Sequence, residues 1–138
     1  TLPPERMRYF MGLGAPLQIL DMAGRGVDLF DCALPTHIAR NGSTLTRRGK
    51  FNIKNGRWKG DGGPLDPDCG CFVCRRYSRA YLRHLFNASE IAGLRLNSYH
   101  NLYFMERLMA DIHGAVAAGR FGDFRKSFEA GYNTHSAP

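Results

Sequence analysis

Short apolar runs broken by glycine and proline open the chain, and a long stretch of helical periodicity closes it. Residues 7–11 form a brief apolar run stopped by Gly12 and Gly14. Residues 16–23 show helical spacing behind Pro16, at the first-turn position that proline favours, and residues 27–34 read as a second strand. Strand, short helix and strand of these lengths predict a βαβ unit, whose strands run parallel and whose functional loops leave the C-terminal strand ends. Alternation along 27–33 puts Asp31 in one row with Val27, Leu29 and Ala33, so a carboxylate ends an apolar row. An aspartate in that place is either a chemical group at a strand end or the cap of a turn made by Pro35 and Thr36.

Glycine and turn residues dominate 40–67, where Asn55-Gly56 between 51–54 and 57–59 is a two-residue hairpin signal. Its register pairs Lys54 with Arg57, Ile53 with Trp58 and Asn52 with Lys59. One face then carries Asn52, Lys54, Arg57 and Lys59, the other Phe51, Ile53 and Trp58. Like charges directly opposite destabilise a hairpin, so Lys54, Arg57 and Lys59 are expected to meet phosphates; a merely solvated basic face is the alternative. Residues 78–88 predict a helix with Tyr81, Leu82, Leu85 and Phe86 on one side and Arg75, Arg79 and Arg83 at i, i+4 spacing on another. A longer helix is predicted from Asn97 or Ser98, either of which can cap it, with Leu102, Met105, Met109, Ile112 and Val116 as its apolar stripe. Gly119 stops that helix, 123–130 adds a short one, and 133–138 is a loose tail.

Three thiols in Cys69-Gly70-Cys71-Phe72-Val73-Cys74 change the picture from packing to chemistry. With His100 they supply the ligand set of a closed structural Zn2+ site, and cysteines one residue apart rarely reach disulfide geometry. His100 falls in the first turn of the predicted helix, roughly opposite Leu102 at about 100° per residue, where the helix N-terminus favours neutral imidazole and thiolates. Cys32, in an apolar run far upstream, is expected to be a buried thiol rather than a ligand. Charge adds a partner class: Lys and Arg outnumber Asp and Glu by 19 to 12. No acidic residue occurs between Cys32 and Gly60, a stretch that holds Arg40, Arg47, Arg48, Lys50, Lys54, Arg57 and Lys59, so a polyanion is the expected partner. At 43% hydrophobic residues the 138-residue chain can bury a core. Nothing in it resembles a signal peptide or an apolar run long enough to cross a bilayer, which predicts no membrane partner and, given reduced thiols, a cytoplasmic setting. A start at Thr1 that enters a strand-like run within a few residues predicts a segment of a longer protein.

Taken together, Phe30-Asp31-Cys32-Ala33-Leu34-Pro35-Thr36, Ala39-Arg40-Asn41-Gly42, Cys69-x-Cys71-x2-Cys74 and His100 resemble the tRNA-guanine transglycosylases, in particular the bacterial queuine tRNA-ribosyltransferases. The resemblance runs from about Arg8 to the end of the long helix. It implies an α/β fold, the C-terminal part of a TIM (β/α)8 barrel with a zinc-binding insertion subdomain. On that plan 1–40 holds the last two barrel strands with their connecting helix, 41–100 the basic hairpin and zinc-binding insertion, and 101–138 the closing helices and tail. It also implies exchange of the wobble guanine of tRNA for a 7-deazaguanine-type base, with Asp31 as the nucleophile, Met11 and Gly12 lining the base pocket, and Arg40 holding the tRNA. His37 stands where many members carry arginine, which implies a weaker or pH-dependent RNA contact. Members are similar to homodimers packed near the zinc region, and their general acid/base aspartate lies in an N-terminal region that these residues do not include. A non-catalytic, zinc-containing tRNA-binding module or accessory subunit is the alternative, against which the intact Asp31 argues.

Overall fold

Tyr9–Met11 (β1) and Leu29–Asp31 (β2) pair in parallel around the helix Pro16–Gly24 (α1), as the apolar runs predict, with Tyr9 opposite Leu29, Phe10 opposite Phe30 and Met11 opposite Asp31. The structure, a computed structural model, describes residues 3–133, so 134–138 of the predicted tail lie outside the described residues. Gly12, at φ 75°, turns the chain out of β1 and donates its N–H to the Asp31 carbonyl at 2.9 Å. Gly14 is required for a different reason: a Cβ there would lie 2.5 Å from the Cys32 Cβ and 2.8 Å from its Sγ. Gly14→Ala is therefore expected to cost about 1–3 kcal/mol through overpacking, seen as a lower urea midpoint of the protein. An unchanged midpoint would mean that β2 shifts freely.

The second strand is shorter than the predicted 27–34, because Leu34–Arg40 (α2) is helical. Proline in its first turn gives up an N–H that has no intrahelical partner there. The turn expected at Pro35 and Thr36 is thus the start of α2, and its N-cap, Ala33, makes no side-chain cap. Asp31 does not cap it.

The hairpin also moves. Ser43–Thr46 (β3) and Gly49–Asn52 (β4) pair antiparallel around Arg47-Arg48, so Thr44 faces Phe51 and Leu45 faces Lys50. Asn55-Gly56 instead opens a 3-10 turn, Gly56–Trp58, in which the Asn55 side chain accepts from the Arg57 N–H at 3.1 Å. The predicted pairing of Lys54 with Arg57 is not formed, since Ile53 N–H reaches back to the Gly42 carbonyl at 2.8 Å. The apolar trio nevertheless gathers: Trp58 folds over, its indole N–H donating to the Asn52 carbonyl at 3.0 Å and its ring 5.0 Å from Phe51, beside fully buried Ile53.

Helices Phe72–Arg76 (α3), Arg79–Asn87 (α4), Ile91–Ala117 (α5) and Phe121–Asn133 (α6) complete the chain. Ser78 caps α4 by accepting from the Tyr81 N–H at 3.1 Å, and Leu82, Leu85 and Phe86 face inward, whereas Tyr81, expected on the same side, is 44% exposed. The long helix differs from expectation. It starts at Ile91 behind Glu90, and Asn97 lies inside it rather than capping it. Its buried face is Gly93, Asn97, His100, Asn101, Phe104, Leu108 and Ile112, whereas Leu102 of the expected stripe is 51% exposed. α5 crosses two cores. One holds Ile19, Leu20, Leu45, Phe104, Leu108, Ile112 and Phe128, the other Ile53, Leu65, Val73, Leu82, Leu85 and Phe86 around Cys71. The expected unit boundary at residue 100 falls within this helix. Among the described residues no helix is long and apolar enough to cross a membrane.

Candidate metal centre and strand-end carboxylate

Cys69 and Cys71 lie in the loop before α3, Cys74 lies within that helix, and His100 reaches them from α5. Cys71 is the N-cap of α3, and its Sγ accepts from the Cys74 N–H at 3.3 Å, so the local fold aims two sulfurs at one point. His100 Nδ1 is 3.8 Å from Cys69 Sγ, 3.5 Å from Cys71 Sγ and 3.4 Å from Cys74 Sγ. All four ligand atoms lie within 4.8 Å of one another. A tetrahedral ion with metal–sulfur and metal–nitrogen bonds of zinc length sets sulfur and nitrogen about 3.6 Å apart. The donor set and the sulfur–nitrogen spacing therefore fit a metal ion.

The tautomer fits too. His100 Nε2 donates to the Leu45 carbonyl at 2.8 Å, which leaves the Nδ1 lone pair facing the three sulfurs. The reason is not the one expected from the sequence: His100 sits well inside α5 and is 0% exposed, so the N-terminus of its own helix does not tune it. A backbone carbonyl of β3 does. The four groups perturb one another through hydrogen bonds. Hydrogen bonds from Cys69 and Cys74 push the Cys71 thiol far down, and the same cluster pushes Cys74 far up. Burial opposes charge on His100, yet hydrogen bonding to Cys69 and Cys71 outweighs it and raises the imidazole to about 9. Cys32 is half-buried beside Gly14, away from the cluster, with its Sγ accepting from the Leu34 N–H at 3.2 Å.

At the other end of the βαβ unit, Asp31 closes β2 with its carboxylate exposed. Tyr9 Oη donates to Asp31 Oδ1 at 2.5 Å, and the Gly12 N–H points to the same oxygen at 3.4 Å. That hydrogen bond raises the Tyr9 pKa, which keeps the phenol a donor. Tyr9 escaped the sequence reading. Its signal was alternation, since it stands two positions before Met11 and so on the same side of β1. Met11 is 73% exposed beside Asp31 in register. Asp31, Phe30 and Cys32 border a cavity of about 430 Å³ that Leu13, Leu102 and Met105 also line.

His37 and Arg40 occupy the last turn of α2, where cations meet the negative end of the helix. The Lys54 stem crosses the backbone at Gly42, where a Cβ would touch its Cε at 3.0 Å, so the chain brings Lys54 to the neighbourhood of Arg40. Arg57 stacks on Trp58 at 4.1 Å, with Arg79 4.9 Å from the same ring. Lys59 is exposed at the end of the 3-10 turn. Lys54, Arg57 and Lys59 therefore do not share one strand face. Arg47 and Arg48, in the true hairpin turn, pair with Asp111 and with Asp68, the latter at 3.6 Å.

A Cys3His centre joined by one helix to a βαβ unit with a carboxylate at its strand end defines an α/β protein with a built-in metal-ligand set. The Queuine tRNA-ribosyltransferase family profile matches residues 1–134. Queuine tRNA-ribosyltransferases of Bacillus mycoides, Bacillus cytotoxicus and Bacillus thuringiensis are each 49% identical to it over 138 residues, 99% of this chain and 36% of their own length. The chain belongs to the queuine tRNA-ribosyltransferase family, and it spans 36% of the length of these curated relatives.

Proposed function

We propose that this chain forms the zinc-bearing part of a tRNA-guanine transglycosylase, in which Asp31 is the nucleophile of base exchange at the wobble guanosine. The observation that carries the reading is the Asp31 carboxylate at the C-terminal end of a parallel strand, not spent on capping α2 and held by Tyr9 and Gly12. One carboxylate oxygen attacks the anomeric carbon as the glycosidic C–N bond breaks, and guanine leaves with the bonding pair. A ribosyl ester on Asp31 then waits for a 7-deazaguanine-type base, whose nitrogen reverses the step and restores the carboxylate with overall retention. Proton transfer to the leaving base is assigned to a group outside this chain. Met11, exposed next to Asp31, would pack its thioether on the base, and Gly12 would let the base approach the backbone.

The cluster of Cys69, Cys71, Cys74 and His100 would hold Zn2+, which supplies structure and takes no part in the exchange. Exposure of Met7, Tyr9, Phe10, Met11 and Leu29 on a two-stranded sheet supports a barrel whose further strands cover that surface. Stacked Tyr77 and Tyr81, 5.4 Å apart and flanked by Phe72 and Tyr99, support a homodimer contact near the metal centre. The thiols require a reducing compartment, hence the cytoplasm.

Incubating the complete enzyme with substrate tRNA and a guanine analogue, then running a denaturing gel, tests the reading: a covalent tRNA adduct is expected, and none would sink it. Arg40, His37, Lys54, Arg57 and Lys59 would track the RNA backbone. Each phosphate contact contributes roughly −0.7 to −0.9 to the log-log slope of affinity against salt. Replacing Lys54, Arg57 and Lys59 together is expected to flatten that slope by about 2, and an unchanged slope would leave them as solvated charges.

A further inference from the structure

An arginine orients a phosphate only if the helix that carries it is fixed, and α2 is seven residues long, with no side-chain bond at its N-cap and a single one at its C-cap, from Asn41 Nδ2 to the His37 carbonyl at 3.2 Å. Two buried asparagines of α5 grip it from below. Asn97 Nδ2 donates at 3.0 Å to the Ala39 carbonyl, which belongs to the peptide bond leading into Arg40. One helical turn along, Asn101 Nδ2 donates at 3.0 Å to the Pro35 carbonyl at the start of α2. Both amides also donate to the Ser43 carbonyl, at 3.1 and 3.0 Å. Their oxygens are engaged as well: Asn97 Oδ1 accepts from Thr44 Oγ1 at 2.8 Å, and Asn101 Oδ1 accepts from the Leu45 N–H at 2.9 Å.

Asn97 is 1% exposed and Asn101 0%. Burying a polar amide costs free energy unless it is bonded, and a leucine of similar volume would stabilise a plain helix-packing face better. What an amide adds is geometry, a fixed distance and angle between two backbones. His100 lies on the same face between the two asparagines, so the helix that locates α2 also carries the fourth ligand of the metal centre.

We propose that Asn97 and Asn101 are positioning residues that clamp both ends of α2 to the metal-bearing helix and thereby hold Arg40 against the tRNA. The proposal rests on the reading of Arg40 as a tRNA contact. In the complete enzyme, a cycle of Asn97→Ala, Arg40→Ala and the double variant separates positioning from general support, with the tRNA KM, kcat and zinc content measured for each. Asn97→Ala is expected to raise the tRNA KM by about ten-fold, leaving kcat within about twofold and zinc content unchanged. In the Arg40→Ala background the same substitution is expected to change KM by less than about twofold, because the side chain through which it acts is gone. Equal factors in both backgrounds, or a loss confined to kcat, would overturn the proposal and leave Asn97 as a packing residue. Were Arg40→Ala to raise KM while Asn97→Ala did not, the coupling alone would fail. An Arg40→Ala enzyme with unchanged KM would overturn the reading of Arg40 and the coupling with it. Should Asn97→Ala not fold, Asn101→Ala releases the other end of α2 and enters the same cycle with the same outcomes.

Discussion

Cys71→Ser in the complete enzyme is expected to empty the metal centre and melt the core built around it. Cys71 is 1% exposed, caps α3 and lies among Ile53, Leu65, Val73, Leu82, Leu85 and Phe86. That core is fed by loops and short helices, so the tie from the cysteine loop to His100 carries much of its stability. Structural zinc contributes on the order of 10 kcal/mol in small metal-folded domains, more than a core of this size supplies alone. Elemental analysis should show zinc falling from one per chain to near zero, and hydrogen exchange should show the segment around α3 and α4 losing protection. Cys32→Ser, by contrast, should keep its zinc, because Cys32 packs against Gly14. Equal metal loss in both variants, or full protection without zinc, would refute the assignment. The proton count adds a sign. Binding needs three thiolates and a neutral imidazole, so zinc displaces protons from the cluster and its affinity should weaken as the pH falls.

Asp31→Asn should abolish the covalent tRNA adduct and lower kcat by at least a factor on the order of 10⁴, while zinc content and tRNA affinity stay within about twofold. The amide keeps the shape of the side chain and can still accept from Tyr9 Oη and the Gly12 N–H, so the fold around β2 has no reason to change. What it loses is nucleophilicity. The contrast with Cys71→Ser is diagnostic, since one variant should bind metal and RNA without reacting, and the other should fail to fold locally. A persistent adduct in Asp31→Asn would move the nucleophile to another carboxylate and leave Asp31 as the hydrogen-bond partner of Tyr9.

The metal-ligand set was legible because its signal is chemical: three thiols within Cys69–Cys74 and one distant imidazole have few other uses. The βαβ unit was legible because Gly12, Gly14 and Pro16 mark its boundaries. Each failure has a tertiary cause. Arg47-Arg48 is an unpromising turn by composition, but Thr46 Oγ1 donates to the Gly49 carbonyl at 2.8 Å, and Asp66, far along the chain, accepts from the Arg47 N–H at 3.2 Å. Asn55-Gly56 carried the stronger local signal and lost to these distant partners. On α5 the apolar periodicity pointed to Ile112, which is buried, but also to Leu102 and Val116, both exposed, whereas the buried face includes two asparagines and a histidine. Polar residues face inward there because β3 offers them carbonyls and an N–H along an edge that no further strand covers among the described residues. A periodicity argument ranks residues by hydrophobicity and does not register a backbone edge waiting for partners.

The order in which the ligands are made sets a timetable for biosynthesis. His100 follows Cys74 by 26 positions, and at roughly 5–20 residues per second it leaves the ribosome about 1–5 s after the last cysteine. Throughout that interval the nascent chain exposes three thiols with neither their fourth ligand nor the helix that covers them. Metal captured then can be held only by sulfur, so the finished coordination sphere and the sealing of β3 by α5 must arrive together, late, as a single event.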